Sequence, residues 1–203
     1  MRSMRRVELL ALAALLLPLP VLAQPLPDGP VPRSDDQRRL SEYHAAAGEA
    51  LLGAFAVGDP ADLALLTAGL AGEALSPERA IQDMAGDWSC RMIKLGGLLP
   101  ITVYSPFRCT ISPDGGFEKL TGSQRTKGNI HQDGDRLIYL GTGFVAGDMP
   151  PSYENLPAQV DPQASPQFMP EIGVVEMVSD RKGRVLFPAP YLESRFNILL
   201  LSR

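Results

Sequence analysis

Between Asp35 and Gly58 the apolar residues recur at helical spacing. In DQRRLSEYHAAAGEALLGAFAVG, Leu40, Tyr43, Ala47, Leu51, Ala54 and Phe55 share one face of a 3.6-residue repeat. Ser34 is placed to cap this helix and Gly58 to help end it. A second helix is predicted from DPADLALLTAGLAG, with Asp59 as cap and Pro60 in the first turn. A third is predicted from SPERAIQDMAG, where Ser76 precedes Pro77 and Glu78. Three short helices therefore fill residues 35–85.

After Trp88 the period changes to two. Ile101, Val103, Phe107, Cys109 and Ile111 alternate with Thr102, Tyr104, Arg108 and Thr110, which predicts one strand with a single apolar face. PDGG at 113–116 and QDGD at 132–135 are turn signals, and FEKLTGSQRT between them reads as a polar strand. RLIYLGTGFV is an apolar strand whose Gly141 and Gly143 signal a bend or a close backbone approach. EIGVVEMVS, then RVLF after a DRKG turn, then ESRFNILLLSR supply three more, about seven strands in all across 86–203. The segment 149–170, MPPSYENLPAQVDPQASPQFMP, has six prolines and almost no periodicity. It is a long loop, read either as a lid presenting Tyr153, Phe168 and Met169 or as a passive insertion.

Composition changes the picture mainly at the N-terminus. Arg2, Arg5 and Arg6, the apolar run Leu9–Leu17 and the Val21-Leu22-Ala23 junction form an export signal over residues 1–23. Pro18 and Pro20 interrupt the run, so a membrane span is not expected, and no integral span remains after signal removal. Residues 24–34 form a flexible Pro-rich spacer. The expected location is periplasmic or secreted. The full chain carries a formal net charge of −4, and losing the leader makes it more acidic. Nucleic acid is therefore not an expected partner.

The chain has two cysteines, Cys90 and Cys109, which in an oxidising compartment read as one structural disulfide. A hairpin turning near GGLLP would set Trp88 opposite Ile111, Cys90 opposite Cys109 and Met92 opposite Phe107, with all six side chains on one face. Closing a loop of that length contributes roughly 3 kcal/mol in the chain-entropy model.

Candidate chemistry is sparse. His44 falls on the first helix and His131 beside the DGD turn, and no Gly-x-Ser-x-Gly occurs, so no nucleophilic triad is indicated. Asp133 and Asp135 read as a hairpin turn rather than a calcium loop. No cofactor or metal is called for. The polar set most suited to a ligand is Gln124 and Arg125, with Arg108 and Tyr153 as further candidates, because arginine's fork suits carboxylate or phosphate; the favoured alternative is an exposed strand whose arginines pair with neighbouring acids and contribute little. By strand parity, Arg91 and Arg108 oppose the cysteines and point outward if the cysteines point in.

The Gly86-Asp87-Trp88 triplet resembles the Gly-x-Trp opening of lipocalins, which implies a barrel whose tryptophan packs on a late basic residue, here Arg195 or Arg203. WSCRMIKLGG, VYSPFRCTI, KLTGSQRTKGNI, LGTGFVAGD and SRFNILLL together resemble an uncharacterised bacterial envelope family, the domain of unknown function 4893. That resemblance implies no activity and no site residues.

The expected fold class is α+β: short N-terminal helices, then an antiparallel β-barrel or strongly curved sheet, lipocalin-like. The expected function is non-catalytic binding in the bacterial envelope, of a small amphipathic ligand or of another envelope protein. The alternatives are an inhibitor of an envelope hydrolase or protease and an uncharacterised periplasmic enzyme. An internal apolar cavity favours the ligand, a filled barrel with an exposed apolar patch favours a protein partner, and a cleft with convergent titratable groups favours catalysis.

Overall fold

A computed structural model of the chain describes residues 29–203. The predicted export signal at 1–23 and the start of the Pro-rich spacer lie outside the described residues. Four helices, α1 (Ser34–Ser41), α2 (Tyr43–Val57), α3 (Pro60–Leu70) and α4 (Pro77–Asp83), precede the strands. The single helix expected from Asp35 onward is thus two. Glu42 interrupts it, because α1 packs on one strand of the barrel while α2 lies over others. Ser34 falls inside α1, Arg33 holds the N-cap position, and no side chain caps that end. Asp59 does cap α3, accepting from the Ala61 N–H at 2.8 Å.

The strands are β1 (Gly86–Leu95), β2 (Ile101–Val103), β3 (Phe107–Ile111), β4 (Gly116–Lys119), β5 (Gln124–Asp133), β6 (Arg136–Val145), β7 (Met169–Ser179), β8 (Lys182–Pro188) and β9 (Phe196–Ser202). In the order β2-β1-β3-β4-β5-β6-β7-β8-β9 each strand pairs antiparallel with the next, and β9 returns to pair with β1. Eight strands close the barrel, with β2 pairing beside β3 on the same edge of β1. The segment read as one polar strand, FEKLTGSQRT, is β4, a turn and the start of β5. Its polarity belongs to that turn.

The hairpin register is corrected by two residues. Trp88 faces Cys109, Cys90 faces Phe107 and Gly86 faces Ile111. The disulfide Cys90–Cys109 forms between diagonal positions with Cα atoms 5.9 Å apart. Parity survives a two-residue shift, so both cysteines still point into the barrel. The expected common face of 101–111 does not survive. Around Ser105-Pro106 the pairing slips, setting Val103 opposite Ile93, and Ile101 and Val103 pack outside against the helices while Cys109 and Ile111 pack inside. A one-residue slip sends side chains to the other face, and Pro106 has no N–H to continue the ladder.

One end of the barrel is plugged. Trp88, Phe117, Tyr139, Met177 and Phe187 fill the interior, and Ala80 and Met84 join them from α4 and the residue after it. Phe117, Tyr139 and Phe187 meet edge to face, with ring centroids 5.4 and 6.0 Å apart. The Trp88 indole N–H donates to the Met84 carbonyl at 2.9 Å, and the Arg203 guanidinium lies over its ring at 4.2 Å. Of the two basic residues expected on the tryptophan, Arg203 takes the place.

Outside, α2 and α3 cover Ile93, Leu95, Leu186 and Ile198. No basic residue occupies the last turn of α3. Instead Arg184 donates from β8 to the Leu70 carbonyl at 2.6 Å and Lys182 to that of Ala71 at 2.6 Å, so cations meet the negative end of the helix dipole. Within the segment 149–170, Tyr153 and Leu156 are buried against Ile138, Leu140 and Ile172 on the outer face of β6 and β7, and its last two residues, Met169 and Pro170, already belong to β7. The segment is a strap with a short 3-10 turn at Tyr153–Asn155.

Candidate functional site

The open end of the barrel is where its polar interior residues gather. Alternation along β1 places Trp88, Cys90, Met92 and Lys94 inside, so the strand delivers an ammonium group where the apolar filling stops. The Lys94 side chain is 11% exposed, and its ammonium donates to Gln124 Oε1 at 2.8 Å and to Glu193 Oε2. Gln124 Nε2 reaches back to Glu193 Oε1 at 3.4 Å. Lys94 comes from β1, Gln124 from β5 and Glu193 from the β8–β9 loop. The three form a polar bar across the mouth.

Cavities of about 70 and 110 Å³ lie at this bar, and both are lined by Met92, Lys94 and Gln124. The smaller adds Met169, Glu171, Phe187 and Asn197, and the larger adds Tyr104, Phe107 and Lys119. Lys119 is 5% exposed, donates to the Thr121 and Gln124 carbonyls at 2.9 and 2.5 Å, and lies 3.8 Å from the centre of the Phe107 ring. Burial, with Arg125 and Lys94 nearby, pulls its ammonium down to about 8. A wider groove of about 490 Å³ runs outside the barrel beside Pro150–Glu154. It has no comparable convergence of buried charged groups.

Burial pushes the Glu171 carboxyl above its ordinary value of 4.5, despite a hydrogen bond from Thr126 and the charges of Arg39, Lys119 and Lys94. Thr126 also meets the Tyr139 hydroxyl at 2.5 Å. Gly143 leaves the space for Glu171, since a Cβ there would stand 2.9 Å from Glu171 Oε1. Glu171→Gln is therefore expected to stabilise the fold at neutral pH. Below about 4.5 the carboxyl is neutral in both states and the variant gains nothing, and its advantage grows as pH rises through the raised folded value. Urea denaturation at pH 4 and pH 7 reads the difference. An equal effect at both would show that Glu171 is solvated.

The sequence candidates divide. Gln124 and Arg125 border the smaller cavity, although Arg125 pairs with Phe144 on the outer side and its Nε donates to the Gly122 carbonyl at 3.1 Å. Arg108 is exposed and directed outward, as parity requires. Tyr153, part of the strap, is buried against the barrel wall with its hydroxyl donating to Asp36 at 2.5 Å, and it lines neither mouth cavity. His44 is exposed on α2. His131, expected to be a solvated turn residue, is buried because the Gly29 backbone lies against its ring. Asp133 pairs with Arg136 at 2.7 Å across the predicted hairpin. Among the described residues no group of three or more His, Cys, Asp or Glu side chains is arranged to hold a metal.

Lys94, Lys119, Glu171 and Glu193 were missed, because each is an isolated charge in an alternating strand or a loop. One signal was available: a lysine or glutamate at an inward position of a strand is costly unless partnered or functional.

No curated protein and no solved structure matches the chain, so the lipocalin resemblance of the Gly86–Trp88 triplet gains no support beyond the stacked Arg203. Residues 31–201 match the family model described as Domain of unknown function (DUF4893). That span takes in the four helices and nearly all of the barrel, and the chain belongs to the DUF4893 family.

Proposed function

We propose that the protein is a non-catalytic binding protein of the bacterial envelope that takes a small amphipathic ligand at the mouth of its barrel. The observation that carries this reading is the lining of the mouth. Met92, Met169 and Phe187 offer apolar surface beside Lys94, Gln124 and Asn197, directly above an interior that is otherwise filled. The small cavities select a short apolar group rather than a long lipid tail. Neither histidine lines the mouth cavities, which favours binding over acyl-transfer chemistry.

Native mass spectrometry of the protein purified from its own cells tests this reading. A mature chain beginning at residue 24 and carrying a small molecule is the expected result. A retained leader sinks the export component, and a mass without adduct at all protein concentrations sinks the ligand. A protein partner is the second reading, favoured by Leu52, Phe55 and Val57, which are 75%, 51% and 71% exposed along α2.

A further inference from the structure

The β8–β9 loop that supplies Glu193 is unusual in its backbone. Among the described residues, Ala189 with φ 41° and Glu193 with φ 68° are the two non-glycine residues in the left-handed region, and both belong to this loop. That region costs an L-residue on the order of 1 kcal/mol, and such strain persists where the surroundings hold it. Here the hold includes the Lys94 ammonium and the Gln124 amide on the Glu193 carboxylate. Lys94 keeps that carboxylate below its ordinary range, so it is an anion seated between a cation and an amide N–H.

We infer that Glu193 is a built-in placeholder, and that the mouth binds a small monocarboxylate whose carboxylate takes Glu193's place on Lys94 and Gln124. The inference rests on the mouth-binding reading and gives it a ligand class. Lys94 is nearly buried while the Glu193 side chain is 41% exposed, so the cation stays in the wall and the anion is the member free to leave. The groups that Glu193 would vacate, Lys94 and Gln124, line both cavities, and Lys119 on the larger one supplies a second ammonium nearby. The body of the ligand packs on Met92 and Phe187. Glu171 faces the same space, its carboxyl raised above the ordinary range by burial.

The test is calorimetric titration of the folded, full mature chain with benzoate and with its neutral isostere benzamide. It is repeated on Glu193→Gln and Lys94→Met, with thermal melts to confirm folding. Benzoate is expected to bind at least about tenfold tighter than benzamide. Glu193→Gln is expected to tighten benzoate by about tenfold, because the internal competitor loses its charge and the competent state gains population. Lys94→Met is expected to abolish benzoate binding. Should Lys94→Met unfold, Glu193→Gln decides alone, since its change is isosteric and the side chain is 41% exposed. Equal binding of benzoate and benzamide, or weaker benzoate binding by Glu193→Gln, overturns the placeholder while leaving mouth binding intact. Absence of any benzoate binding in both native and Glu193→Gln protein overturns the placeholder as well, and the native-mass result then stands separately for or against a mouth ligand.

Discussion

Arg39→Ala is expected to destabilise the protein by about 3–5 kcal/mol, the range for stranding one member of a buried ion pair. Arg39 is 2% exposed and its partner Asp36 is fully buried, with Nη1 to Oδ1 at 2.7 Å. The same guanidinium donates to the Pro170 carbonyl at 3.1 Å and the Pro188 carbonyl at 3.2 Å, and it lies 5.1 Å from the centre of the Tyr191 ring. One side chain on α1 therefore ties the start of β7 to the end of β8 beside the barrel mouth. Alanine leaves Asp36 charged and buried with the Tyr153 hydroxyl as its remaining partner. It also strips a donor from each of two carbonyls.

For a domain of this size the loss lowers the melting temperature by roughly 10 °C. Removing Asp36 as well is expected to cost less than the sum of the two single changes, since neither charge is then stranded. Arg38, one residue earlier, bonds Asp35 and Glu42 with its side chain 55% exposed, and Arg38→Ala is expected to cost under about 1 kcal/mol. An Arg39→Ala loss as small as that would show that α1 melts separately from the barrel.

The second large effect falls on Gly128, where β5 runs against β6. A Cβ there would stand 2.1 Å from the Leu140 carbonyl oxygen and 2.3 Å from the Gly141 Cα. Both are backbone atoms of a ten-residue ladder, so relief requires the two strands to part rather than a side chain to turn. Gly128→Val is expected to cost at least about 3 kcal/mol, the upper end of ordinary overpacking. Gly48→Ala is the control of opposite sign. Nothing lies within 4 Å of a Cβ at that α2 position, and replacing a helical glycine gains about 0.5–1 kcal/mol. Denaturant midpoints of the two variants should move in opposite directions. Movement of Gly128→Val by less than 1 kcal/mol would mean that β5 and β6 are not so closely apposed.

How far the site was legible follows from the same physics. The polar composition of FEKLTGSQRT pointed to Gln124 and Arg125, and both border the mouth. The segment was polar because it turns there, leaving Lys119 buried on one side of the turn and Gln124 exposed at the rim on the other. Arg108, equally polar in sequence, points outward on β3. Lys94 and Glu193 are 99 residues apart, and no local pattern links a strand lysine to a loop glutamate at that separation. Glu171 lies in an alternating strand where outward carboxylates such as Glu176 are ordinary. Its inward placement is set by the register of β7 on β6.

By itself the sequence determined the order of helices and strands, the turn within QDGD at 132–135, the pairing of the two cysteines and the apolar character of the strand RLIYLGTGFV. These follow from local periodicity, turn chemistry and composition, which act within a few residues. Tertiary structure alone decided which face each strand presents after the break at Ser105-Pro106, that the Pro-rich segment packs on β6 and β7 as a strap, and that Lys94, Gln124 and Glu193 meet. Each depends on closing a barrel whose first and last strands must pair, and closure sets register by the packing of all eight strands at once.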